Sequence, residues 1–185
     1  RHIPTWGIAL GLARAGRLEE GAVLLPTTGE IFVSEGSRVY YGPAAAGAAA
    51  LADITDLPRG GAGLDDHGIV AITQEMAKYG RVDIASQVQT LGTAVFPLTY
   101  LCLGRYEGYV GRLKLWDFAG GLPLLLKCGI AVKVFGHDYV DGTIGPALCH
   151  MEAGHPRRWH ALGPLVCPRS RAIVLIHPHN PTGSF

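Results

Sequence analysis

Leu115-Trp116-Asp117-Phe118-Ala119-Gly120-Gly121, running on into Leu122-Pro123-Leu124-Leu125-Leu126-Lys127-Cys128-Gly129, is the stretch on which the fold turns. Its second half is apolar and bounded by glycine, which predicts a helix over residues 118–127. Asp117 sits where an N-cap or first-turn carboxylate belongs, and Gly129 supplies a C-cap. Pro123 lies a few residues in, so the helix bends there or begins late.

Outward from this stretch, strand and helix patterns alternate. Residues 88–91 read as a short strand, Gly92-Thr93-Ala94 as a tight connection and residues 95–102 as an apolar helix. Residues 106–110 and 130–135 read as strands. This alternation predicts an α/β or α+β arrangement. The first part of the chain reads differently. Residues 5–13, 20–25, 30–34 and 39–41 are short strands separated by Gly- and Pro-containing turns, which predicts an antiparallel meander. Gly7, Ala9, Gly11 and Ala13 alternate with Trp6, Ile8, Leu10 and Leu12, so one face of the first strand is small enough for close packing. Residues 43–66 read as a loose linker and 69–79 as a helix stopped by Gly80. The expected division is therefore residues 1–87, an antiparallel-sheet subdomain with its linker, and 88–185, an α/β subdomain.

Composition narrows the function classes. Of 185 residues, 48% are hydrophobic and 17% charged, with a net charge of +1. Such a chain buries a core, and its low charge predicts that some surface is covered by a partner. The densest cations, Arg157, Arg158, Arg169 and Arg171, form no stripe, so nucleic acid is not an expected partner. No apolar run is long enough to span a membrane, and a cytoplasmic location is the simplest expectation. Cys102, Cys128, Cys149 and Cys167 form no CxxC pair and read as buried free thiols. The eight histidines contain no HExxH pattern, and Thr73, Glu75 and Lys78 read as a solvated helix face.

The stretch 115–121 resembles the WD-x-A-A-G signature of the inositol monophosphatase family. Leu91-Gly92-Thr93-Ala94 resembles that family's Leu-Gly-Ser-Ala element, and residues 3–32 resemble the strands that follow its first metal motif. The resemblance implies an α+β layered sandwich and a magnesium-dependent hydrolase of small phosphate monoesters. It implies that Asp117 is a metal ligand, that Gly92, Thr93 and Ala94 lie on the substrate side, and that Lys114 and Trp116 make contacts at the helix start. It also implies a homodimer, or association with an N-terminal segment. The family's helices and acidic metal motifs are expected upstream of Ile3-Pro4, and this chain begins at Arg1. The expectation is thus a C-terminal portion, inactive alone, with one ligand aspartate. Asp141-Gly142-Thr143 mimics part of the upstream motif but follows Asp117 and is read as a loop coincidence.

Two departures bear on the substrate. Inositol-specific members carry a glutamate six residues before the tryptophan, where this chain has Val110, which accepts no hydroxyl hydrogen bond. Histidinol phosphate, a nucleotide bisphosphate and fructose bisphosphate stay open as substrates. Gln89 stands where many members carry arginine. The residues themselves leave Asp117 either a ligand or a simple helix cap. The chain as a whole stays either a phosphatase portion or a non-catalytic relative used for binding or assembly.

Overall fold

Small residues in the first two strands let a helical layer come down onto the sheet backbone, and this contact organises the molecule. The structure is a computed structural model and describes residues 5–58, 68–111, 113–134, 137–138 and 174–176. Strands β1 (Ile8–Arg14), β2 (Arg17–Leu25), β3 (Glu30–Glu35), β4 (Arg38–Pro43) and β5 (Ala52–Asp53) form one antiparallel sheet in chain order. The β1–β2 turn uses Ala15 and Gly16, both at positive φ, and a register shift at Leu12/Ala13 bends the edge strand β1.

The second sheet contains β6 (Ile69–Ile72), β7 (Gln87–Gln89), β8 (Gly108–Gly111), β9 (Val132–Val134), β10 (His137–Asp138) and β11 (Val174–Ile176), ordered β10-β9-β11-β8-β6-β7. Its pairings are parallel except β9–β10. Two single-turn 3-10 helices, Ala44–Ala46 and Ala48–Ala50, and four α-helices complete the described elements: α1 (Gln74–Tyr79), α2 (Val95–Cys102), α3 (Leu115–Phe118) and α4 (Leu122–Lys127). Helices α2 and α4 pack on each other; α4 lies on the first sheet and α2 reaches both sheets. The result is the mixed α/β layering that the alternation predicts. Leu98, Leu101, Leu122, Leu124 and Leu125 meet Val23, Leu25, Phe32 and Val39 in one core, all fully buried or nearly so. Each such side chain contributes about 2 kcal/mol by leaving water.

The turn between α3 and α4 touches the sheet backbone directly. A Cβ on Gly21 would stand 2.1 Å from the Gly120 carbonyl oxygen, and one on Gly11 would stand 2.6 Å from that of Ala119. Glycine is required there by space alone.

Three expectations are corrected. Residues 69–79 are not one helix: the apolar, mostly β-branched run Ile69-Val70-Ala71-Ile72 is a strand between parallel neighbours, and the helix begins after Thr73. The second sheet thus takes strands from both sides of residue 87. The helix expected over 118–127 is two short helices, because Ala119-Gly120-Gly121 turns against the first sheet. The loose linker expected from residue 43 carries β5 and a buried Ile54, whose N–H donates to the Val39 carbonyl at 2.8 Å. Cys102 and Cys128 are buried and joined in no disulfide, as expected. Cys149, Cys167, Asp141-Gly142-Thr143 and the arginine cluster lie outside the described residues.

One face of β1 is uncovered among the described residues. Trp6 is 52% exposed, Ile8 49%, Leu10 66% and Leu12 50%. No helix among the described residues is long and apolar enough to cross a membrane.

Candidate functional site

Three parallel strands end side by side, and the segments that leave them enclose a cleft of about 480 Å³. Thr73, Gln74 and Glu75 follow β6, Gly92 to Val95 follow β7, and Leu113, Trp116 and Asp117 follow β8. Ala9 of β1 and Gly7, just before that strand, complete the lining. The carboxyl ends of parallel strands are where α/β sheets hold ligands, because connections diverge there and leave a crevice.

Asp117 stands at the third position of α3. Its Oδ2 accepts the Lys114 backbone N–H at 2.9 Å, and its own N–H donates to the Lys114 carbonyl at 2.9 Å. The aspartate therefore does cap its helix, with one oxygen. Phenolic Tyr109, at 1% exposure in β8, lies behind it; burial first, and then the Asp117 charge, push its pKa well above the usual tyrosine value. Tyr109 is thus a neutral wall. Trp116 lines the cleft and is 68% exposed at its rim. Lys114 does not line the cleft; its ammonium lies 4.7 Å from the centre of the Trp116 ring.

The opposite wall is the turn into α2. Gly92 has φ 69°, a conformation in which a side chain is strained. The Thr5 hydroxyl donates to the Leu91 carbonyl at 3.2 Å and ties this turn to the start of β1. Thr93 and Ala94 are half-buried and line the cleft, and the Ala94 carbonyl accepts the Leu98 N–H at 3.1 Å as α2 begins. Asp117, Trp116, Gly92, Thr93 and Ala94 are therefore brought together, whereas Lys114 reaches them through Trp116.

Thr73, Gln74 and Glu75 are the site residues that the sequence pattern hides. Read as part of a long helix, Thr73 and Glu75 fall on a solvated face. In the structure Thr73 is the cap between strand and helix: its N–H donates to the Val110 carbonyl at 3.1 Å, and its Oγ1 accepts the Met76 N–H at 3.4 Å. The signal was available as a threonine directly after an apolar run. Val110 itself is buried at 3% exposure and does not line the cleft. Gln89 accepts the Tyr106 hydroxyl at 2.7 Å.

Two carboxylates, Asp117 and Glu75, line the cleft. Among the described residues no group of three or more His, Cys, Asp or Glu side chains stands close enough to hold a metal ion.

No family model matches the chain. An inositol-1-monophosphatase of Mesorhizobium japonicum is 27% identical over 149 residues, covering 75% of this chain and 54% of its own. One from Rhizobium meliloti is 29% identical over 135 residues, covering 69% and 48%. Among solved structures, Mycobacterium tuberculosis SuhB aligns with a TM-score of 0.59 at 16% identity, covering 76% of this chain and 59% of that one. Inositol monophosphatase II of Staphylococcus aureus aligns at 0.55 with 22% identity, covering 75% and 52%. These structures share the fold. The chain is homologous to the inositol monophosphatase superfamily over most of its length, and it spans about half the length of the curated relatives it matches.

Proposed function

We propose that the intact protein hydrolyses small phosphate monoesters with magnesium, and that this chain contributes Asp117 as a metal ligand and Gly92-Thr93-Ala94 as the wall that receives the substrate. The observation that carries the reading is that Asp117 and Gly92-Thr93-Ala94 line one cleft at the ends of parallel strands.

The donor set fits magnesium in part. Magnesium takes oxygen ligands, keeps several waters, and is commonly held by one or two carboxylates plus phosphate oxygens. Asp117 offers Oδ1 while Lys114 N–H holds Oδ2, and Glu75 is a second carboxylate on the cleft. That set suits one hydrated ion; a two-ion clamp needs further acidic groups. Magnesium, when bound, supplies positive charge toward the phosphoryl oxygens and activates water.

The residues of this chain do the rest. Gly92 supplies the left-handed backbone that turns the chain into α2, and the Thr93 hydroxyl donates to a phosphate or sugar oxygen. The start of α2 adds backbone N–H dipoles on the anion's side. The Lys114 N–H fixes the Asp117 carboxylate in one orientation before any ligand arrives. The exposed apolar stripe of β1 supports the expectation that the chain works in contact with a second copy or a further segment of the intact protein.

The test is magnesium-dependent phosphate release by the intact protein from a panel of sugar, polyol and nucleotide monophosphates. Turnover is expected, and Asp117→Asn should lower it by more than the roughly 10–100-fold typical of losing an outer-shell metal partner. An intact protein that binds these esters without turnover would instead be a binding or assembly module, and the hydrolase reading would fall.

A further inference from the structure

Gln74 lies in the cleft, and the proposed chemistry leaves it without a role. It opens α1 and lines the cavity with Gly92 and Thr93. Its carboxamide lies over the open face of Gly92: a Cβ on that glycine would stand 2.6 Å from Gln74 Nε2 and 3.2 Å from Cδ. The positive φ of Gly92 and its missing side chain together make a seat for the amide. The backbone beneath is anchored, because the neighbouring Thr73 bonds to β8 through the Val110 carbonyl and caps α1 through Met76 N–H. Among the described residues the Gln74 carboxamide has no hydrogen-bond partner.

A carboxamide presents two donors and an acceptor and carries no charge. Beside a bound phosphate dianion it offers hydrogen bonds without the repulsion that another carboxylate would bring. The phosphate itself is assigned to the neighbouring Gly92-Thr93-Ala94 wall. The amide packs on Gly92 at the edge of that wall, beside the place the phosphate would take and on the same cavity, and the group within its reach is the one attached to the phosphate. Val110, buried in β8, has nothing to offer that group.

We propose that Gln74 is a specificity-determining residue, whose carboxamide hydrogen-bonds a hydroxyl of the alcohol esterified to phosphate. The cleft then discriminates hydroxylated esters from hydroxyl-free analogues of the same shape. This rests on the phosphate-monoester reading of the cleft. An amide that bonds a substrate hydroxyl favours the ester that carries it over the analogue lacking it, and the preference is modest here because Gln74 is exposed and water solvates the amide when no hydroxyl is present. At a partly solvated position the effect is about tenfold.

The experiment is steady-state hydrolysis by the intact protein and its Gln74→Ala variant in magnesium, reading KM for inositol 1-phosphate and cyclohexyl phosphate and the inhibition constant of inorganic phosphate. Cyclohexyl phosphate has the same six-membered ring without hydroxyls. Gln74→Ala should raise KM for inositol 1-phosphate by about tenfold and leave the other two constants within twofold. An equal rise in all three, or in none, would overturn the role of Gln74 while the phosphate reading stands. Failure of the unaltered protein to hydrolyse either ester would overturn the phosphate reading and this assignment with it.

Discussion

Asp117 carries two duties that substitution can separate. Its Oδ2 caps α3 by accepting the Lys114 N–H, and its charge is what a metal would use. Asparagine keeps an acceptor oxygen and loses the charge. Asp117→Asn should therefore leave the denaturation midpoint nearly unchanged while phosphate release collapses. Asp117→Ala should lose both, with the stability cost at about 1 kcal/mol, the usual value of a cap. If both variants lose stability alone and turnover persists, the aspartate is a cap and nothing more. Gly92 is constrained twice, by a φ of 69° and by the Gln74 amide packed on it. Gly92→Ala should destabilise the protein by about 1–2 kcal/mol in a urea titration, because a left-handed non-glycine residue is strained. It should also weaken inositol 1-phosphate, since the new methyl displaces the Gln74 amide.

At the scale of elements, two contacts join the layers. The first is the glycine contact between β2 and the α3–α4 turn. Gly21→Ala would push a methyl into the Gly120 carbonyl, a clash with backbone on both sides. The expected cost is at the upper end of overpacking, about 3 kcal/mol, read as a lowered midpoint with unchanged slope. The second is Glu30 of β3, 13% exposed, whose Oε1 takes Arg105 Nη1 at 2.9 Å and the Tyr41 hydroxyl at 2.7 Å. Its Oε2 takes the Tyr100 hydroxyl at 3.1 Å. Burial pushes the Glu30 carboxyl up, but hydrogen bonds from Tyr41, Thr28 and Arg105, with the guanidinium charge, outweigh it and hold the group below its ordinary value. A depressed carboxyl stabilises the fold fully above its ordinary value of 4.5 and loses that contribution as pH falls through the folded value. Thermal melts of the protein and of Glu30→Gln should differ most above pH 5 and converge in more acidic buffer. A gap that widens toward acid would mean that the cluster is not held by the ionised glutamate.

At the scale of the molecule, β1 is both a sheet edge and an apolar stripe, a combination that native proteins cover or charge. The isolated 185-residue chain should self-associate in sedimentation experiments and bind an apolar dye. Leu10→Lys combined with Leu12→Lys should suppress both, since charged residues on an edge oppose pairing. A monodisperse, dye-silent chain would show that this face needs no cover.

The α/β character, the meander, helix α2 and the placement of Asp117 near a helix start were all legible in the residues. Each depends on local periods of small, apolar and turn-forming side chains, and local periods are written in the chain. So was the small face of β1, although its partner was not. The strand at Ile69–Ile72 was not legible, because a short apolar run leads equally well into a strand or a helix, and only pairing with β7 and β8 decides between them. The break between α3 and α4 was hidden for a similar reason: Ala119-Gly120-Gly121 turns because the backbone of β1 and β2 lies against it. The cleft belongs wholly to tertiary structure. Thr73, Gln74 and Glu75 are seventeen or more residues from Gly92 and some forty from Asp117, and they meet because three parallel strands end side by side. The sequence determined which groups were available for chemistry; sheet order, set by long-range pairing, decided which of them share a cavity.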